Sequence, residues 1–188
     1  SIKGNITPDI MANLFVKYGY RSPNAGTYWS AFKWTADVFD IGYSECYKLD
    51  DVISKLKDNN YIIASCNQGL FTYGGHFIVL IGVEDNYIKI YDSYLYNGKY
   101  DVSSRKGKAV VKGNTVYVSI DNFRKYANYQ KFFCFKSKIQ RWSFSFVNQA
   151  ELSFLRRDMS IDEIEKVYMQ KICDNDLQKS QLQEQKLC

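Results

Sequence analysis

The residues best equipped for chemistry are a histidine and an aspartate. His76, the single histidine in 188 residues, follows Gly74-Gly75. Asp92 closes a later apolar run, Tyr87-Ile88-Lys89-Ile90-Tyr91-Asp92. A turn over Glu84-Asp85-Asn86 separates the two runs, so they read as an antiparallel pair. If that hairpin centres on Glu84, His76 and Asp92 are each eight residues from it and lie opposite one another. A carboxylate beside an imidazole fixes its tautomer and stabilises the imidazolium, which supplies two members of a nucleophilic triad. Glycines at 74 and 75 would let a substrate backbone approach closely. The same pairing also describes a surface histidine satisfied by a structural hydrogen bond, and spacing does not separate the two readings.

A third member would be a thiol. The five cysteines are Cys46, Cys66, Cys134, Cys173 and Cys188. Their number and irregular spacing do not form a disulfide framework, and a chain of this length folds without one. None sits at a helix N-terminus beside a basic residue, the setting that activates a thiol. Cys66 ends a strand ten residues before His76 and is the least unsuitable; its other reading is a small buried hydrophobe. Cys46 and Cys134 read as packing residues. No nucleophile is assigned within the chain.

The elements that must position the pair follow from patterning. Thr7-Pro8-Asp9 predicts a helix N-terminus, with Thr7 as cap and Pro8 in the first turn, and Gly19 ends the helix. Arg21 to Gly26 is a turn cluster. A second helix is expected from Thr27 through Phe39, ending near Gly42, with Tyr28-Trp29 as its anchor. A third runs from Asp51 to Lys57, capped by Asp50. Strands are expected at Tyr61–Ser65, His76–Val83, Tyr87–Asp92, Val110–Val111, Thr115–Val118 and Phe132–Phe135, with Gly113-Asn114 as a hairpin turn. Asn122–Ala127 suits one helical turn. Helices precede an antiparallel sheet, an α+β arrangement.

Composition narrows the classes. Apolar residues make up 46% and charged residues 24%, which excludes whole-chain disorder. No apolar run approaches the roughly 20 residues of a membrane span. No basic-then-apolar leader is visible. With one histidine and no Cys-x-x-Cys pair, a structural zinc site is not expected, and no phosphate-binding glycine loop occurs. No cofactor is expected. The net charge of +5 is moderate, and the 16 Tyr and 12 Phe fall mostly in strand-like runs, so nucleic acid is not an expected partner. Arg105-Lys106-Gly107-Lys108, with Lys112, reads as a solvated basic loop, with an anionic polymer such as teichoic acid as the alternative.

The order of Thr7-Pro8-Asp9, Tyr18-Gly19-Tyr20, Gly26-Thr27-Tyr28-Trp29, Gly74-Gly75-His76-Phe77-Ile78-Val79-Leu80-Ile81-Gly82 and Tyr91-Asp92-Ser93 carries a family likeness. The chain resembles the bacterial papain-like cysteine peptidases of the bacteriocin-processing (double-glycine) type, in their soluble peptidase-like branch. The likeness covers roughly residues 1–135. It implies a papain-like α+β fold, with His76 as general base and Asp92 orienting it. The family nucleophile is a cysteine in a Cys-Gly-Pro-like motif at a helix start, and an upstream glutamine helps hold the oxyanion. Neither motif is in this sequence, so the chain as given is expected to be inactive: a fragment, or a degenerate relative.

The resemblance implies peptide or protein substrates, cell-wall-associated ones among them, and an extracellular or cell-surface location. Two alternatives carry the same residues: a non-catalytic peptide- or cell-wall-binding module, and a fragment of a cell-wall amidase. Residues 1–147 form the expected peptidase-like domain and 148–188 a helical appendage. That appendage opens with a Ser160-x-x-Glu163 capping box and presents an apolar stripe of Ile161, Ile164, Val167 and Ile172. Residues 150–188 carry a net charge of −2 and residues 1–149 a net charge of +7. Self-association through an uncovered core face or through the appendage is a further expectation.

Overall fold

A computed structural model describes residues 6–136 of the chain. The predicted appendage lies outside them. The described residues fall into two compact units, one ending at Asp40 and one beginning at Ile41.

In the first unit, helix α1 spans Pro8–Lys17, with Thr7 at its N-cap and Asp9 in the first turn. Its end is decided by Gly19, whose φ of 75° suits a residue without a Cβ. The Gly19 N–H reaches the Val16 carbonyl at 3.2 Å and the Tyr20 N–H reaches that of Phe15 at 2.7 Å. These two bonds satisfy carbonyls that the helix leaves unpaired. The expected turn cluster is a small hairpin, β1 (Arg21–Ser22) paired with β2 (Gly26–Thr27). Thr27 is therefore extended, and helix α2 begins later than expected, at Ser30, and ends at Val38. Tyr28 and Trp29 precede it and remain exposed.

The second unit holds a seven-stranded antiparallel sheet in the order β3-β9-β4-β5-β6-β8-β7. The strands are β3 (Gly42–Cys46), β4 (Asn60–Cys66), β5 (His76–Glu84), β6 (Tyr87–Asp92), β7 (Val110–Lys112), β8 (Thr115–Ser119) and β9 (Tyr129–Lys136). Strand β3 was not legible beforehand, because Gly42-Tyr43-Ser44-Glu45-Cys46 has no apolar alternation. Among the described residues it is an edge strand, paired with β9 alone. Helix α3 runs Leu49–Lys57 with Lys48 at the N-cap. Asp50 thus lies inside the first turn beside Asp51, where acids complement the helix dipole, rather than capping it. Helix α4 spans Ile120–Tyr126, and the Ser119 hydroxyl accepts the Asn122 N–H at 3.2 Å.

One face of the sheet is the core. Ile62 and Ala64 of β4, Ile78 and Leu80 of β5, Ile88 and Ile90 of β6, Val116 and Val118 of β8 and Phe132 of β9 are all fully buried. They cluster with Leu49, Val52 and Leu56 of α3 and Phe123 of α4. The Ile78 and Leu80 face of the His76 strand is thus filled, whereas Phe77, Val79 and Ile81 on its other face are half-buried. Among the described residues no helix is long and apolar enough to cross a membrane.

The loop from β4 to β5 is tied to α4. Leu70 N–H bonds the Tyr126 carbonyl at 2.8 Å and Asn67 N–H bonds that of Asn128 at 2.9 Å. A Cβ on Gly69 would stand 2.7 Å from the Tyr126 carbonyl oxygen and 3.2 Å from the Asn128 Cβ. Gly69→Ala should therefore cost roughly 1–3 kcal/mol, read as a lower urea midpoint with an unchanged slope.

Candidate active site

His76 opens β5 and Asp92 closes β6, at one end of the sheet. The two-residue turn between these strands is Asp85-Asn86, both at positive φ (45° and 67°), the geometry that matches strand twist. Pairing begins Glu84↔Tyr87, Val83↔Ile88, Gly82↔Lys89, so the hairpin does not centre on Glu84. Continued regularly, that ladder would place Val79 opposite Asp92 and turn His76 to the other face of the sheet. A bulge intervenes. Ile81 has no partner, and the register resumes as Leu80↔Ile90, Val79↔Tyr91, Ile78↔Asp92. His76, two residues from Ile78, therefore shares a face with Asp92 as its diagonal neighbour rather than its direct opposite. The predicted proximity is realised by a register different from the one expected.

His76 Nε2 lies 2.8 Å from Asp92 Oδ1. The Asp92 side chain is fully buried and that of His76 is 16% exposed. Asp92 has three further donors. The Tyr94 N–H reaches Oδ1 at 3.1 Å, the Tyr100 hydroxyl reaches Oδ2 at 2.7 Å, and the Lys99 ammonium bonds Oδ2. Burial pushes the Asp92 carboxyl up, but hydrogen bonds from His76, Lys99, Tyr100 and the Tyr94 N–H outweigh it and hold the group well below the usual carboxylate range. An ionised carboxylate only accepts, so His76 donates through Nε2–H and the neutral ring keeps its lone pair on Nδ1. Burial, together with the hydrogen bond to Asp92, drives the Tyr100 hydroxyl strongly upward, so it remains a donor.

Lys99 and Tyr100 were not legible as site residues. They lie in the 93–108 segment, which reads as a polar surface loop. Their only signal is weak: a lysine and a tyrosine within eight residues of a candidate aspartate. The segment folds as successive turns, and Tyr100 is anchored by an edge-on contact with Phe71, 6.4 Å between ring centres. Arg105, read as part of a solvated basic run, is buried at 2% exposure, whereas Lys106 is exposed.

Cys66 stands directly opposite His76 in the β4–β5 ladder and shares its face. It is buried, and burial followed by the Asp92 charge pushes its thiol up to about 12. Proximity is present, but the thiolate is disfavoured. Cys46 and Cys134 lie in the core with sulfurs 3.5 Å apart, and burial plus the contact with Cys46 pushes Cys134 up to about 12. Cys173 and Cys188 lie outside the described residues. A Cβ added at Gly74 or Gly75 would meet nothing within 4 Å, so packing does not demand these glycines. Among the described residues no group of three or more His, Cys, Asp or Glu side chains could hold a metal ion.

Among the described residues, a seven-stranded antiparallel sheet and four helices make an α+β protein, consistent with the papain-like fold of the cysteine-peptidase-like class. The chain belongs to the Peptidase C39 like family, whose model matches residues 2–122. No curated protein matches the chain.

Proposed function

We propose that this domain carries the proton-handling half of a cysteine-peptidase site. His76 Nδ1 is the general base and acid, and Asp92 holds the ring through Nε2. The observation that supports this reading is the buried Nε2–Oδ1 contact of 2.8 Å, with Asp92 held by three further donors. In the reaction, a thiol gives its proton to His76 Nδ1 as sulfur attacks the amide carbonyl. The imidazolium then protonates the departing amine as the C–N bond breaks, leaving a thioester. Water, deprotonated by the same nitrogen, attacks the thioester carbonyl and releases the acid and the thiol.

Cys66 is a poor source of that thiol, being buried with its acidity suppressed, and the sequence holds no Cys-Gly-Pro. We expect the 188-residue chain as given to show no thiol-dependent peptide hydrolysis. An electrophilic cysteine probe should label Cys66 slowly, at a rate unchanged by His76→Ala. Supplying a Cys-Gly-Pro helix ahead of Ser1 should create one fast-labelling cysteine, slowed about 10²- to 10⁴-fold by His76→Ala. Rapid, His76-dependent labelling of Cys66 in the unaltered chain would instead make Cys66 the nucleophile.

A second reading is a binding module for peptides or cell-wall material. It is favoured by an open groove of about 980 Å³ beside Asp92, lined by Tyr91, Leu95, Tyr96, Asn97, Asp101 and Asn114 among others. Under that reading, peptide affinity survives His76→Ala and falls with Tyr96→Ala.

A further inference from the structure

The structure assigns Arg105 as the recognition group of a carboxylate-binding subsite, gated by Tyr73. Among the described residues the buried charged side chains are Asp92, Lys99 and Arg105, two cations against one carboxylate. Lys99 takes up the charge of Asp92 through a direct ion pair. Among the described residues Arg105 has no such partner. Its Nη1 donates to the Lys99 carbonyl at 3.4 Å, while Nε and Nη2 are buried with no hydrogen-bond partner. These two nitrogens form one edge of the guanidinium, and their N–H bonds run parallel. That edge matches the two oxygens of a carboxylate. A buried cation with unmade hydrogen bonds is unfavourable unless something pairs it. A monoanion would supply both the missing charge and the two missing acceptors.

Access is through Tyr73. The guanidinium carbon lies 4.2 Å from the centre of its ring, a cation–π contact that covers the charge. The Tyr73 side chain is itself 66% exposed and is followed by Gly74 and Gly75, which have open space beside them. The ring stands at the surface, so turning it away moves no buried core residue. Tyr73 lies three residues before His76, and Arg105 touches the Lys99 backbone, whose side chain holds Asp92. The subsite thus adjoins the histidine–aspartate pair and suits a ligand with a free carboxylate, such as an acylated amino acid or a peptide C-terminus. It does not depend on His76 acting as a base.

The test compares N-acetylglycine, N-acetylglycinamide and inorganic phosphate at constant ionic strength, with the full chain. N-acetylglycine at about 100 times its dissociation constant should raise the thermal midpoint by roughly 5–10 °C. It should also shift the Arg105 Nε–H resonance saturably, while the amide does neither. Tyr73→Ala, at an exposed position, should keep binding and speed association. Arg105→Met should abolish the response. If that variant fails to fold, the Arg105 resonance in the unaltered chain decides. No saturable shift of that resonance, equal shifts with the amide, or a midpoint rise that persists in Arg105→Met would overturn the assignment. Protection by phosphate without protection by N-acetylglycine would overturn its carboxylate specificity.

Discussion

Asp92→Asn should destabilise the protein by about 3–5 kcal/mol, because it leaves the Lys99 ammonium buried without a counter-ion. The substitution keeps the shape but not the chemistry. Four donors converge on Asp92, from His76, Tyr94, Lys99 and Tyr100. An amide cannot accept from all of them, and its own NH₂ would face a donor. Lys99→Met alone removes the other half of the pair and leaves a buried carboxylate with three donors, so it too should destabilise. Combined with Asp92→Asn, it removes both charges, and the double variant should be more stable than the sum of the two single losses predicts. Urea unfolding of the four proteins forms the cycle, and an additive result would show that the ion pair carries no coupling.

The pH dependence has a defined sign. The folded-state pKa of Asp92 is depressed below its unfolded value of about 3.9. Its stabilisation is therefore fully present above pH ~5 and is lost as pH falls through ~4 and below, toward the folded pKa. Between pH 7 and 5 this group contributes no slope. Asp92→Asn should flatten the acid limb of the stability curve while lowering its neutral plateau.

The second large effect concerns the bulge in β5. Deleting Ile81 should be tolerated, because Leu80↔Ile90 and Gly82↔Lys89 already pair around it and β4 pairs only as far as Leu80. The hairpin becomes regular, Leu80 stays in the core, and His76 stays with Asp92. Deleting Val79 together with Ile81 should be ruinous, because no spare residue is then left between Ile78 and Gly82. Ile78 and His76 would then face the wrong side of the sheet, in both the β4 and β6 ladders, since one residue of slip inverts every side chain. Turning the fully buried Ile78 outward forfeits roughly 1.5–3 kcal/mol by itself. The Asp92 bond is lost as well. We expect the Ile81 deletion to fold cooperatively with its His76 ring still bonded to Asp92 by NMR. The double deletion should be largely unfolded or lack that bond. Equal tolerance of both would remove the role given to the bulge.

Much of the fold is written locally. Alternation in Tyr87–Asp92 marks a strand with one buried face, and the structure gives that strand its expected ends. Thr7-Pro8-Asp9 and Gly19 mark the two ends of a helix through backbone preferences that need no tertiary partner. Where local signals are weak, the reading drifts. Strand β3 has no alternation because only Cys46 of its five residues is buried, and Thr27 looks like a helix start although it closes a small hairpin.

The site shows the same division. The sequence alone determines the chemistry available: one histidine after two glycines, an aspartate at the end of the next strand, and thiols that lack an activating context. Register is not a local property. It is decided by which residues of several strands bury together, and here keeping Ile78, Leu80, Ile88 and Ile90 in one core requires the extra residue at Ile81. The partners of Asp92 are likewise tertiary. Lys99 and Tyr100 come from a loop with no periodicity, and only its turns, folded back over the strand end and anchored by Phe71, carry them to the carboxylate. The burial of Arg105 has the same origin, because whether a charged side chain meets water or a neighbouring ring depends on how that loop closes.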